Sequence, residues 1–210
     1  MEINSFLTQL SENSLRVIDT SISLKEYVPI SISSENKELT FDVSSSIEWE
    51  TYLLKFLKGK NAKVAFGGYL EERDIYNRSD YFNSEESQRN IHLGIDLWCN
   101  AKTNVLAVLD GEIHSFKNNN NFGDYGPTII IKHQFEGITF YSLYGHLSIE
   151  SIENIKIGDC VKAGGKIAEL GNSTVNGDYA PHLHFQLILN IEDYIGDYPG
   201  VSSEENKEFY

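Results

Sequence analysis

The 210-residue chain carries 31 acidic against 17 basic residues, a formal charge of −14. That charge argues against nucleic acid, whose phosphates require a basic footprint, and against an anionic lipid surface. Length and aromatic content (12 Tyr, 11 Phe) suit one large β-rich domain, or one domain with an extension.

The N-terminal stretch MEINSFLTQLSENSLRVIDT has no basic segment followed by an apolar run, and no apolar run of transmembrane length occurs anywhere in the sequence. As a full natural chain the protein is expected in the cytoplasm; as a trimmed one, outside it. Residues 1–40 suggest only short helices and loops. Ser45 and Glu48 then have capping-box spacing, and Trp49, Tyr52, Leu53, Phe56 and Leu57 form one helical face. Lys55, Lys58, Gly59 and Lys60 mark the expected end of that helix. Such a stripe is read as packing. Residues 69–82, YLEERDIYNRSDYF, offer Arg73, Tyr76 and Arg78 to the flank of a cleft, although a solvated connecting loop explains the same letters more simply.

From about residue 90 short strands and glycine turns take over. NVLAVLDGEIHSF reads as two strands around Asp110-Gly111, and TIIIKHQFEGITFYSLYGHLS as two longer strands around Glu136-Gly137. Residues 118–126, NNNNFGDYG, read as a polar loop with little reason to be rigid. IKIGDCVKAGGKIAELGN reads as strand pieces joined by tight turns; it resembles biotinyl and lipoyl carrier turns, but the lysine–methionine hairpin of those carriers is absent. The expected fold is mainly β, an antiparallel β-sandwich or flattened barrel. Residues 1–88 form an α-containing extension, 89–200 the β-domain and 201–210 a tail.

Chemistry concentrates in three segments. In APHLHFQL, period-two alternation sends Leu183, Phe185 and Leu187 to one face and His182, His184 and Gln186 to the other, with the imidazoles about 7 Å apart along the strand. In NIHLGIDLW, His92 and Asp96 would lie roughly 13 Å apart on a straight strand, so a bend at Gly94 or a His92 placed before the strand is required for them to meet. In LYGHLS, His146 ends a long strand, where the chain leaves the sheet. Zinc accepts His nitrogen and Asp oxygen, and a catalytic site keeps one position for water. Three ligands from His92, Asp96 and one of His182 and His184 would leave two histidines to move protons. Cys99, three residues beyond Asp96, is set aside as a ligand; Cys99 and Cys160 form no C-x-x-C pair and are expected as unpaired thiols. His114 and His133 are expected to be surface or structural residues.

HLGIDL, LYGHLS and PHLHF together resemble the three signatures of the M23 zinc metallopeptidases, the lysostaphin and LytM type, and VLAVLDGEI and IKIGDCVKAGGKIAELGNS resemble that family's connecting segments. The resemblance runs from about His92 to about residue 190. It implies the M23 (duplicated hybrid motif) fold, with His92, Asp96 and His184 as Zn2+ ligands and His146 and His182 as the catalytic pair. It also implies a zinc metalloendopeptidase or amidohydrolase whose partner is a peptide or cell-wall-derived substrate, small and Gly- or Ala-rich. The head and tail of the chain resemble M23 modules of multidomain proteins that carry kinase-like and aminotransferase domains, which would point to an amide other than intact peptidoglycan. The alternative is an inactive M23 scaffold acting as a binding or regulatory module. The oligomeric state is left open.

Overall fold

Alternation along the central strands gives the sheet two faces, and both are covered. The computed structural model describes residues 8–10, 15–78, 89–207 and 209. In chain order its principal elements begin with β1 (Tyr27–Pro29), helix α1 (Ser46–Lys60), β2 (Val64–Gly67), β3 (Ile91–His92) and β4 (Ile95–Trp98). There follow β5 (Asn104–Leu106), β6 (Gly111–Asn119), β7 (Gly126–Phe135) and β8 (Ile138–Gly145). The last are β9 (Cys160–Val161), β10 (Lys166–Glu169), β11 (His182–Ile188) and β12 (Val201–Ser202). Eight strands form one sheet in the order β1-β2-β4-β11-β8-β7-β6-β9, while β10 pairs with β5 and β12 with β3. The fold is mainly β, as expected, but the large sheet is mixed because β1 runs parallel to β2, and it does not close into a barrel.

One face carries the main core. Leu97, Leu183, Tyr144, Ile129 and Ile131 pack there against Val105 and Ala168 from the small β5–β10 ribbon. Each such aliphatic side chain contributes about 1.5–3 kcal/mol on burial. The opposite face carries Ala65 and Trp98, and α1 lays Trp49, Leu53 and Leu57 on it. Because β4 and β11 alternate, Asp96, His182 and His184 share this second face with Trp98. Helix α1 therefore packs beside the histidines.

Helix α1 forms where the stripe placed it, with two changes at its ends. The Ser45 hydroxyl accepts from Glu48 N at 3.3 Å, but the Glu48 carboxylate accepts from Asp42 N rather than from Ser45 N, so the capping box is half formed. Gly59 lies inside the last turn, and Asn61 ends the helix at φ 51°, ψ 40°. Asparagine tolerates the left-handed conformation that such a cap requires.

Glu136 and Gly137, both at positive φ, join β7 to β8 as a tight hairpin. At Asp110-Gly111 there is no hairpin: β5 pairs with β10, while β6 pairs with β7 and β9. The N-terminal residues, read as short helices and loops, supply β1 as the sheet edge. Val201 and Ser202, read as tail, pair with His92 and Ile91. The polar loop is pinned, because Gly123 N donates to Gly177 O at 3.0 Å and Tyr179 OH donates to Gly123 O at 2.8 Å. Among the described residues no helix is long and apolar enough to cross a membrane.

Candidate metal centre and cleft

Backbone register brings the first two site residues together. Antiparallel pairing sets His184 of β11 directly opposite Asp96 of β4, at the separation where cross-strand side chains touch. His92 joins them because the chain breaks between β3 and β4 at Leu93-Gly94, in place of the straight strand that would have held it away. Gly94 is also required for space: a Cβ there would lie 2.5 Å from His184 Cε1 and 2.6 Å from its Nε2. Upstream residues clamp His92, whose N–H donates to Glu71 O at 3.0 Å while its carbonyl accepts from Leu70 N at 2.9 Å.

The outcome is a buried triad. His92 Nε2 lies 2.8 Å from His184 Nδ1, and Asp96 Oδ1 lies 3.2 Å and 3.3 Å from those two nitrogens. His92 Nδ1 faces the Gly68 carbonyl at 2.8 Å. A carbonyl only accepts, so Nδ1 carries the proton and the neutral ring turns its Nε2 lone pair inward. His184 is oriented from the other side. Gln186 donates its amide nitrogen to Pro199 O at 3.2 Å, which aims its oxygen at His184 Nε2 at 3.3 Å. That nitrogen then carries the proton, and Nδ1 presents a lone pair. Asp96 Oδ1 is buried with no hydrogen-bond donor, and its partner oxygen Oδ2 accepts from Arg73 Nη1 at 2.6 Å. Three lone pairs therefore meet with no proton between them, an arrangement that a cation resolves. Tetrahedral zinc with bonds of about 2.0–2.1 Å spaces its donors roughly 3.3 Å apart. The donor set fits that ion.

Two more imidazoles stand alongside. His182 on β11 stacks on Trp98 with ring centroids 5.6 Å apart, and His146 lies 4.2 Å from the His182 ring. His146 leaves the end of β8 at φ 61°, which swings its side chain off the strand. Its N–H donates to Tyr125 O at 2.8 Å and its carbonyl accepts from Gly171 N at 2.9 Å, so the backbone is fixed in that conformation. His146 Nδ1 donates to Asn176 O at 2.8 Å and His182 Nδ1 to Ala180 O at 2.7 Å. Both rings thus keep the Nε2 lone pair in their neutral forms.

Burial sets the charge states. It pushes His92 down to about 4, with the Arg73 charge adding to the effect, and it lowers His146 and His182 as well. For Asp96 burial acts the other way, but His92 and Arg73 outweigh it and hold the carboxyl well below the usual range. The neutral His92 ring and the ionised Asp96 carboxylate are in the forms that bind a divalent cation.

These residues face a cleft of ≈ 250 Å³ whose walls include Tyr125, Tyr179, Tyr76 and Trp98. The spacing in the sequence did not disclose Tyr125, whose hydroxyl lies 3.4 Å from His184 Nε2, or the Gly68 carbonyl, which holds its partner from 24 residues upstream. In the sequence FGDYG reads only as part of a polar loop. Of the three possible cleft residues upstream, Arg73 and Tyr76 are buried at the site, not in a solvated loop. The Arg78 side chain and residues 79–82 lie outside the described residues. Cys99 is a buried free thiol outside the triad, raised to about 12 chiefly by burial, and Cys160 is an exposed free thiol. His133 is structural, bonded to Asp110 O at 2.9 Å and Ser142 Oγ at 2.6 Å, and His114 is bonded to Ser115 Oγ at 2.9 Å.

A His–Asp–His donor set beside paired imidazoles, at the floor of a cleft, is the layout used by metal-dependent hydrolases. Residues 90–194 match the profile described as Peptidase family M23. The chain belongs to that family. It is 30% identical over 125 residues to a protein of Haemophilus influenzae named an uncharacterized metalloprotease, covering 56% of this chain and 24% of that protein. It is 35% identical over 99 residues to the glycyl-glycine endopeptidase ALE-1 of Staphylococcus capitis, covering 47% of this chain and 25% of that one. The chain thus spans about a quarter of the length of these relatives. The crystallized catalytic domain of lysostaphin from Staphylococcus simulans aligns at 25% identity and a TM-score of 0.45, over 79% of this chain and 97% of that domain.

Proposed function

We propose that the protein is a zinc-dependent metalloendopeptidase or amidohydrolase that cleaves a peptide bond, with short Gly- or Ala-rich peptides of the cell-wall type as the substrate class. The observation that carries this reading is the convergence of His92 Nε2, Asp96 Oδ1 and His184 Nδ1, with the orphaned Oδ1 between the two nitrogens. The substrate class is supported by the relative named a glycyl-glycine endopeptidase.

In this reading His92, Asp96 and His184 hold the ion. The chemistry that zinc supplies when bound is Lewis acidity, which polarises a scissile carbonyl and acidifies water. His146 and His182, each with its proton fixed on Nδ1, offer Nε2 as the proton acceptor for the attacking water. Burial keeps them neutral near pH 7, so the base is in its competent form before substrate arrives. The imidazole that has taken the proton then carries it as Nε2–H and donates it to the leaving amine, which returns the ring to its neutral form. The tyrosines of the cleft wall exclude water from the peptide and limit the side chains that fit beside it.

The test has two stages. Elemental analysis of wild type and His184→Ala should find about one zinc per wild-type chain and none in the variant. Zinc-loaded protein is then incubated with pentaglycine and with Ala-containing cell-wall peptides, and the products are read by mass spectrometry. Cleavage abolished by chelator and restored by zinc supports the reading. A wild-type chain that refuses zinc overturns it, and a zinc-loaded chain that cleaves no peptide leaves a binding module.

A further inference from the structure

The side chain that orients Asp96 comes from outside the region matched to the family, residues 90–194. Arg73 is 3% exposed, and its guanidinium makes three directed contacts: Nη1 to Asp96 Oδ2 at 2.6 Å, Nη1 to Tyr76 OH at 3.4 Å and Nε to Glu71 Oε2 at 2.8 Å. Its Cζ lies 5.6 Å from the centroid of the Trp98 ring. Glu71 is anchored in turn, because its Oε1 accepts from Ser31 Oγ at 2.7 Å and from Ile32 N at 2.9 Å. A continuous chain of hydrogen bonds therefore runs from the segment after β1, through Glu71 and Arg73, to the carboxylate of the triad.

Stability alone does not explain a buried arginine here. Replacing a buried ion pair with well-packed apolar groups is often neutral or stabilising, since the desolvation penalty offsets the attraction. Its geometry does have a consequence for metal binding. A free carboxylate can turn either oxygen, or both, to an ion. Arg73 occupies Oδ2 with a short charge-assisted bond, and only Oδ1 is left facing His92 and His184. The charges matter as well: Asp96 and Glu71 set against Arg73 leave one negative charge, where two would otherwise stand beside a dication. A site so balanced keeps net positive charge for a carbonyl.

We propose that Arg73 is a positioning residue for the metal triad: by holding Asp96 Oδ2 against Glu71 it confines the carboxylate to one-oxygen binding through Oδ1 and sets the affinity and geometry of the ion. The inference rests on the reading of His92, Asp96 and His184 as metal ligands. It makes the segment upstream of the peptidase region part of the metal centre. Arg73 itself touches neither ion nor substrate.

The test compares wild type, Arg73→Met and Arg73→Lys in the full chain, with two readouts that need no substrate. Zinc affinity is measured by competition with a chelating dye, and coordination by the visible absorption of the cobalt-substituted protein. Removing a group that supports a metal ligand typically weakens affinity roughly 10–100-fold, which is the loss expected for Arg73→Met. Its cobalt bands should weaken as the released Oδ2 joins the ion and raises its coordination number. Lysine keeps the charge without the fork that spans both carboxylates, so Arg73→Lys should fall between the two in affinity and spectrum. Affinity within about twofold of wild type together with an unchanged cobalt spectrum in Arg73→Met overturns the proposal, by the scale of that expected loss. If Arg73→Met does not fold, Arg73→Lys decides: a severalfold loss with altered bands supports the proposal, and wild-type values overturn it. Wild-type protein that binds neither zinc nor cobalt instead overturns the metal reading beneath it, a distinguishable result.

Discussion

Substituting Gly94 by alanine tests whether the break between β3 and β4 exists to admit His184. The φ angle of Gly94 is not positive, so alanine meets no backbone penalty there, and the whole effect is contact. The added Cβ would lie 2.5 Å from His184 Cε1, 2.6 Å from Nε2 and 2.8 Å from the carbonyl of Phe185. Ordinary contact begins near 3.4 Å, so the ring must retreat by about 0.9 Å. Because the ring is rigid, Nδ1 moves with it, and that distance is nearly half of a zinc–nitrogen bond of about 2.0–2.1 Å. We expect Gly94→Ala to destabilise the metal-free protein by about 1–3 kcal/mol, as overpacking does. Zinc affinity should fall at least tenfold, about 1.4 kcal/mol, on the same sample. Urea unfolding of the metal-free protein gives the first quantity and chelator competition the second. Wild-type values for both would refute the account of Gly94, since the Cβ would then have found room without moving the ligand. A loss of stability with unchanged affinity would mean that Phe185, not the ring, had given way.

The other outcomes follow from charge and conformation. His146→Ala should keep its zinc, because its nearest bonds are to Asn176 O and not to the triad, yet lose turnover by about 10²–10⁴-fold; metal content and peptide cleavage on one preparation check it, and loss of metal would show His146 to be a ligand. For the metal-free protein, acid should be destabilising. The folded pKa of His92 is depressed to about 4, below the unfolded value of 6.5, so the unfolded chain binds the extra proton between those values. Its contribution is thus complete above pH 6.5 and lost as pH falls through about 4, at up to about 1.4 kcal/mol per unit, with the lowered His146 and His182 acting in the same direction. Urea midpoints at pH 7, 6 and 5 measure it, and a flat profile would contradict the burial of these rings as neutral groups. At the end of α1, Asn61→Gly should stabilise by about 0.5–1 kcal/mol, since glycine adopts φ 51° without a Cβ penalty; a melting temperature that falls would show that the Asn61 side chain matters there.

Local pattern carried much of this protein. Alternation in PHLHF determined that His182 and His184 share a face opposite Leu183 and Phe185, because the side-chain period of a strand is fixed by its backbone. The stripe in α1 and the turn at Glu136-Gly137 were legible for the same reason: each depends on residues within one or two turns of chain. The motifs also named, by resemblance, His92, Asp96, His146, His182 and His184, five residues that the fold brings close together, although not Tyr125 or the Gly68 carbonyl beside them. Tertiary structure alone decided what lies across the sequence. Pairing register set His184 opposite Asp96, and no local signal encodes which strand neighbours which. The hairpin expected at Asp110-Gly111 dissolved because β5 and β6 found partners elsewhere, and the loop before Tyr125 became rigid through contacts with residues more than fifty positions away. Arg73 could be read from its letters only as a cleft candidate or a solvated charge. A buried guanidinium needs paired acceptors, and Asp96 meets Arg73 and Glu71 only through the tertiary contacts that set their segment against β4.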